Sequence, residues 1–583
     1  METDPFWTTI VARAATIDER LSGKYVPVPA DNSMTDGSSV TTDQTQAEYL
    51  KRWCEFASNG DHDLFTRRLA RDGLSERDVA PFLGNVRLRD GEALPDWVPT
   101  AIWFLDAMMA GGQGIDKECP SDISETVPFA DLIWPAVVQA QRMLGDRAPS
   151  PLTSQAQDDL TLGLVSRLSK FAEGAFFESF TSYRQAVGIA PGQAAGTGVY
   201  GAFKTALCSG PLRNLIAARP VLIRILATVT DHWIGATREF LERLENDLPA
   251  LTGQFPELAD ARKVAKITAG ISDPHNHGRT VLILTFENDA KIVYKPRPVD
   301  AECAWKELSD WFEKAGSDIR LCAPKTWARD GYGWMGFVKA NADLSQDQGS
   351  GFYRAAGQLL ALMYCLKGSD MHHENFLIAD GRPVVIDLET LFQPELRLFY
   401  GTDRALHAKE LAQHRLDGGV NAVGLLPKRK NIAGHWIDDG GLAVAQTCMV
   451  KVPTLRHINQ DQMVLDQVER EELLSGIALT IGGKTPNIAD FLDDVLSGFD
   501  DAVAFLSAHK DELVASDGPL AAFAGATIRH VLRPTAYYQE LERASRQPQN
   551  QQDGFVWSLN FERLCRKSRW DLENYPGWVL LGA

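Results

Sequence analysis

Gly368-Ser369-Asp370-Met371-His372-His373-Glu374-Asn375, followed twelve positions after the asparagine by Asp387-Leu388-Glu389, is the stretch that decides the fold. Upstream of it, Phe352, Ala356, Leu359, Leu360, Met363 and Leu366 recur at helical spacing, which predicts a buried helix stopped at Gly368. Downstream, residues 376–378 and 383–386 are short β-rich runs around Asp380-Gly381, a hairpin pattern. Asp370 and Asn375 therefore fall in a loop between a helix and a hairpin, and Asp387 falls at a strand end.

That order suits phosphoryl transfer. The reaction needs a carboxylate to take a hydroxyl proton, an amide and a carboxylate to hold magnesium, and a cation on the phosphates. Protein kinases place the first two five residues apart and bring in the metal-binding Asp after a short hairpin, as the spacing of Asp370, Asn375 and Asp387 does here. Taken singly, a capping Asp or a turn Asn means little; the weight lies in all three at this spacing. Of His372 and His373, adjacent in sequence, one is expected to be structural. No Cys or third His stands near enough for a zinc set, so no zinc requirement is expected.

The 583 residues are 44% hydrophobic and 23% charged, which predicts several domains with an ample core. A net charge of -18 argues against general nucleic-acid or membrane-surface binding but leaves room for a local positive pocket. Eight scattered cysteines without a CxxC point to free thiols in a reducing, cytoplasmic setting. Neither a signal peptide nor an apolar run long enough to span a membrane is present in the sequence.

Residues 31–46, rich in Ser, Thr, Asp and Gln, predict a loop. Residues 47–251 are mainly helical in pattern, with the broadest apolar faces in 160–180 and 220–248, and carry no catalytic constellation, so a supporting role is expected. After Ile267 the pattern turns to strands. Residues 280–286 and 290–294 form one hairpin, closed by Lys295; 325–329 and 334–338 form another around Asp330-Gly331. The loop before them, 271–279, contains Asp273, His275 and Gly278 but no GxGxxG. Beyond the Asp370 stretch, long helical runs such as 491–506 are expected, and 547–553 predicts a polar surface loop. The expected class is α+β: a mainly helical region over 1–251, a β-rich lobe over 252–345 that carries Lys295, and a mainly helical lobe over 346–583. A β lobe with the Lys before a helical lobe with the Asp/Asn/Asp set is the two-lobed order of kinases.

Val293-Tyr-Lys-Pro-Arg297, Gly368-Ser-Asp370-Met-His372-His-Glu-Asn375, Val385-Ile-Asp387-Leu-Glu389-Thr-Leu-Phe392 and Arg529-His-Val-Leu-Arg533-Pro-Thr535-Ala-Tyr537 together resemble the dehydratase domain of class II lanthipeptide synthetases, the LanM family. Fainter likenesses upstream, at Pro128-Phe-Ala-Asp-Leu and Glu178-Ser-Phe-Thr-Ser-Tyr-Arg184, extend the resemblance over nearly the whole chain. It implies a fold related to lipid kinases, with ATP and Mg2+ as cofactors. It implies phosphorylation of Ser and Thr in a ribosomal precursor peptide, a leader plus a core. Elimination of phosphate to dehydroalanine or dehydrobutyrine would follow in the same site. In those terms Lys295 and Arg297 serve the nucleotide, Asp370 is the base, and Asn375 and Asp387 hold the metal. His372, Glu389, Asp273 and His275 are further site residues, and Arg529 and Thr535 serve elimination, where a guanidinium can hold the departing phosphate. The family's zinc-dependent cyclase has no counterpart before Ala583, so the expectation is a stand-alone dehydratase, with a split enzyme or a fragment as the other readings and a separate cyclase as a partner. The competing functions are a peptide kinase that stops at the phosphate and a non-catalytic module that binds a leader peptide.

Overall fold

Apolar residues at helical spacing build the N-terminal half. The computed structural model describes residues 4–28, 42–111, 118–145, 150–189, 197–393, 408–432, 435–530 and 535–565. In it, α1 (Ser154–Ala186) and α2 (Pro220–Gln254) pack with the helices Trp97–Met109 and Ala130–Arg142 around Phe104, Ile133, Val165, Phe176, Leu222 and Leu226. Thr153 caps α1 by accepting from the Ala156 amide, and Pro220 opens α2, where its missing N–H is not needed. The second half of α2 leaves this bundle. Its Phe240, Leu241, Leu244 and Leu251 share a core with a sheet, so a boundary at 251 falls within one helix that serves two cores.

The sheet is five-stranded and antiparallel, in the order β1 (Val264–Thr268), β2 (Leu282–Phe286), β3 (Lys291–Lys295), β5 (Tyr332–Gly336), β4 (Thr326–Arg329). Both expected hairpins are present. Asp289 and Gly331 take the positive φ values, 63° and 76°, that their tight turns require. Between β3 and β4 runs α3 (Asp300–Lys314). Buried Asp247 of α2 accepts from the Tyr332 hydroxyl at 2.7 Å and the Trp334 indole at 2.8 Å, which ties helix to sheet.

The helix before the Asp370 stretch is α4 (Gln346–Cys365), opened by a Ser345/Gln348 capping box. Its stop differs from expectation. Lys367, not Gly368, adopts the left-handed conformation, φ 50°, while Gly368 is needed because a side chain there would press on Leu391 and Met363. The hairpin follows as β6 (Phe376–Ala379) and β7 (Arg382–Val385), with Asp380 and Gly381 both at positive φ, as a type I′ turn demands.

The region after it is less helical than expected. It holds β8 (Lys428–Ile432) paired with β9 (His435–Asp439), and the long hairpin of β10 (Gln446–Arg456) and β11 (Val464–Ser475). Along β10 the alternation is plain: Thr447, Met449, Lys451 and Pro453 are exposed, and Cys448, Val450, Val452 and Thr454 are half-buried. Its tip reaches back to the helical half. Asn459 donates to the carbonyls of Ser124 and Val127, Asp461 accepts from the amides of Gly198 and Tyr200, and Met463 is fully buried in the first core.

Two local expectations are corrected. Residues 42–46 lie in the helix Thr42–Ser58, while 31–41 lie outside the described residues. Residues 547–553 are not a surface loop: Pro548–Gln551 is a 3-10 turn, and fully buried Gln551 donates to the carbonyls of Phe171 and Ser545 at 2.9 and 3.0 Å. The following helix, Gly554–Glu562, packs Phe555 and Leu559 against Trp53 and Phe65, so segments far apart in sequence share a core. The whole is mixed helix and sheet, in keeping with the α+β class expected. Among the described residues no helix is long and apolar enough to cross a membrane.

α4 is held by α5 (Leu492–Ala508) at glycine contacts: a Cβ on Gly357 would overlap the Val495 carbonyl, and one on Gly498 the Arg354 carbonyl. Backbone cannot yield as a side chain can, so Gly498→Ala should destabilise the protein by about 1–3 kcal/mol. Thermal unfolding would register this as a fall of several degrees; an unchanged midpoint would show that the helices can slide apart at no cost.

Candidate active site

Lys295 ends β3 almost wholly buried, with its Nζ bonded to the Ile386 carbonyl and 3.1 Å from Glu302 of α3. Glu302 is equally buried, and a carboxylate in that position survives only if paired. Burial alone would raise its pKa; Lys295 and Arg297 outweigh burial and hold it at about 2. Glu302 was not singled out from the sequence. The available signal is its place beside Ala301, Ala304, Trp305 and Leu308 on the apolar side of an amphipathic helix, seven residues beyond a lysine that closes a strand.

Arg297 extends this pair into a chain. Its Nη2 lies 2.8 Å from Glu302 and 2.7 Å from Asp387, and its Nε 3.3 Å from Glu389. On the far side Glu389 accepts from Arg529 twice, at 2.7 Å from Nη1 and at 2.6 Å from the backbone amide. Gln393 fixes the same segment: its amide donates to the Arg529 carbonyl at 2.6 Å, and its oxygen lies 2.8 Å from His530 Nδ1. Gln393 and His530 were also missed, having no motif of their own.

The Asp370 loop is clamped beside this chain. Ser369 and Thr390 exchange bonds, the Phe392 amide donates to Leu366, and the Met371 amide donates to Val423. Asp370 itself sits at φ 64°, outside the comfortable range for a non-glycine residue, and such strain gathers at functional sites. Asn375 donates its side-chain amide to the Asp370 carbonyl at 3.0 Å. His372 Nε2 lies 3.5 Å from Asp370, whereas burial lowers the pKa of His373, with His372 acting the same way and Glu374 and Asp439 opposing. Burial raises the Asp370 pKa; His372 and Arg529 oppose that, and Asp387 and Glu389 add to it. Asp370, His372, Arg529, Asp387 and Glu389 thus lie within electrostatic reach of one another.

The 271–279 loop lies within electrostatic reach of the group. Partial desolvation and the charge of Arg529 lower the pKa of the exposed His275 ring, against Glu389, Asp273 and Asp387. The loop is strapped to α2: Arg279 forks onto Glu239 at 2.5–3.2 Å, and His277 Nδ1 lies 3.3 Å from His232 Nε2. A Cβ on Gly278 would press on His232, and Asn276 and His277 both take positive φ. Asp273 is exposed, with no hydrogen bond among the described residues. Thr535 begins the helix Thr535–Ser545 as an exposed residue, and no described contact joins it to Arg529; Arg533 lies outside the described residues.

The donors also suit a hard cation. Asp387 Oδ1 takes Arg297 and the Glu389 amide, leaving Oδ2 without a described donor, and the carbonyl oxygen of Asn375 is likewise free among the described residues. One carboxylate and one amide oxygen, with phosphates and water completing the shell, is how magnesium is held. Among the described residues no group of three His, Cys, Asp or Glu is arranged to bind a metal alone.

The site is thus a chain of paired charges between the five-stranded sheet, α3 and the Asp370 loop. The family model described as "Domain of unknown function (DUF4135)" matches residues 220–581, more than half of the chain, and the protein belongs to that family. It is also similar to the "Lacticin 481/lactococcin biosynthesis protein LcnDR2" of Lactococcus lactis subsp. lactis, 27% identical over 163 residues. That match covers 27% of this chain and 17% of the relative.

Glu302 generates a test. Its folded pKa lies below the ordinary 4.5, so the pair's contribution is present above that value and is lost as pH falls toward about 2. Glu302→Gln should cost roughly 3–5 kcal/mol at neutral pH by leaving Lys295 buried and unpaired, while Lys295→Met with Glu302→Leu recovers most of it. Chemical denaturation at pH 7 and pH 3 would show the difference from the parent shrinking at the lower pH.

Proposed function

We propose that the protein is an ATP- and Mg2+-dependent dehydratase of a ribosomally made precursor peptide, acting in lanthipeptide maturation. The observation that carries this reading is the single chain of contacts from Lys295 through Glu302, Arg297 and Asp387 to Glu389 and Arg529, with Asp370 beside it. It combines the parts of a kinase-like phosphoryl-transfer site with a further cation on the peptide side. The similarity to a lacticin 481/lactococcin biosynthesis protein supports the same class of substrate.

In this mechanism Lys295, held straight by Glu302, meets the nucleotide phosphates. Asn375 and Asp387 would hold Mg2+, which when bound would supply charge neutralisation at the phosphates. Asp370 accepts the proton of the Ser or Thr hydroxyl as its oxygen attacks the γ-phosphorus and the bond to ADP breaks. In the second step the neutral ring of His275 takes the peptide's α-proton, the electron pair of that C–H bond forms the Cα–Cβ double bond, and the Cβ–O bond breaks to release phosphate. Arg529, oriented by Glu389 and Gln393, takes the negative charge that grows on the leaving group.

Mass spectrometry of the peptide product separates the readings. The parent should yield peptide lighter by one water per modified residue. Arg529→Ala should slow elimination on the order of a hundredfold and accumulate phosphopeptide. Asp387→Asn should abolish both steps. A parent that itself stops at phosphopeptide is a peptide kinase; an Arg529 variant that also loses phosphorylation would place Arg529 in folding or nucleotide binding.

The rate of phosphorylation should also fall, with decreasing pH, at a higher pH than an ordinary carboxylate would give, since Asp370 must be ionised and burial raises its pKa. His372→Ala removes a charge that lowers that pKa, so its acid limb should move further up. A limb that stays put would assign the titration to another group.

A further inference from the structure

His232, Glu239 and Arg243 stand seven and then four residues apart on α2, so they form one polar stripe along that helix. Each of the three meets the sheet lobe. His232 Nε2 lies 3.3 Å from His277 Nδ1, with the two rings edge to face. Glu239 takes the Arg279 guanidinium on both of its oxygens, at 2.5–3.2 Å. Arg243 pairs with Glu239 and donates to the Tyr294 hydroxyl at 2.8 Å, next to Lys295 in β3.

Arg279 passes this hold to His275. The two residues exchange backbone bonds: the His275 amide donates to the Arg279 carbonyl at 2.9 Å, and the Arg279 amide to the His275 carbonyl at 2.8 Å. Inside the same turn Arg279 Nη1 donates to the Asn276 carbonyl at 2.5 Å. Asn276 and His277 take φ of 39° and 64°, which non-glycine residues keep only where their surroundings impose it. The bonds from Arg279 hold the Glu239 carboxyl below its ordinary pKa, so the pair is ionised at neutral pH. Lys295 is held separately, by Glu302 and the Ile386 carbonyl.

We propose that Glu239 is a positioning residue for the elimination step, fixing through Arg279 the loop that carries His275. This rests on the dehydratase reading above, in which His275 takes the α-proton. Glu239 touches neither substrate nor nucleotide in this role. Its loss lets the loop drift from α2, and a base misplaced by about 1 Å costs on the order of a hundredfold in rate. Phosphorylation relies on Asp370, Lys295 and Asp387, none of which bonds to Glu239 or Arg279 among the described residues, so the first step does not feel the change.

The experiment gives the full chain its cognate precursor synthesised with phosphoserine at a modified position, together with ADP and Mg2+, and follows loss of phosphate by mass. Glu239→Gln should lower kcat for elimination by roughly ten- to a hundredfold at unchanged KM. Phosphorylation of the ordinary precursor and the thermal unfolding midpoint should match the parent. Arg279→Gln should behave alike, and the double variant should be no slower than either single one, since the same contact is removed. If Glu239→Gln does not fold, Arg279→Lys, which keeps the charge and loses the fork, reads the same contact from the loop side. Unchanged elimination overturns the proposal. So do equal losses in both steps with a lowered midpoint, which would make Glu239 a residue of the fold alone, and losses that multiply in the double variant, which would give the two residues separate roles. Failure of the dehydratase reading looks different: the parent itself would leave the phosphoserine peptide intact, and both readings would fall together.

Discussion

Arg297 is the bond on which the rest of the site depends. Its guanidinium touches three carboxylates from two separate segments: Glu302 on α3, and Asp387 and Glu389 after β7. Brought together without it, these largely buried acids would repel one another. A buried ion pair is weak evidence for stability, since desolvation offsets most of its attraction. What the planar fork adds is geometry, because it accepts carboxylates only in certain directions. Sheet, helix and catalytic hairpin can therefore dock in few relative positions, and one of them aligns Lys295, Asp387 and Arg529.

The remaining architecture keeps that alignment. α2 has a bundle core on its first half and the sheet core on its second, and from between them His232 and Glu239 reach the loop that carries His275. The β10–β11 hairpin crosses in the other direction and buries Met463 among N-terminal helices. The helical half is in this sense a support, but one that grips the site's loop directly. Strained backbone at Asp370, Asn276 and His277 is tolerated because each lies in a segment held from both sides.

Much of the fold could be read from local pattern. Asp380-Gly381 between β-rich runs specified a type I′ hairpin, and the turns at Asp289 and Gly331 were equally legible. β10 and β11 were not, because long two-stranded ribbons exposed on one face carry charged and apolar residues in a mixed alternation that resembles no core strand. Gln551 was misjudged for a related reason: a polar run appears solvent-bound until a distant carbonyl, here that of Phe171, is found to receive it.

For the site, spacing in the sequence brought forward Lys295, Asp370, Asn375 and Asp387, since each stands at a strand end or in a loop whose local geometry follows from its neighbours. Glu302, Glu239, Gln393 and His530 came only with the tertiary structure. Their partners lie seven to well over a hundred residues away, as Glu302 to Lys295 and Gln393 to Arg529 show, and no local periodicity encodes a contact across such separations. The sequence determined which elements form and which side chains end them. Which charges neutralise one another was decided by packing, because a buried carboxylate must find its cation wherever the fold brings one.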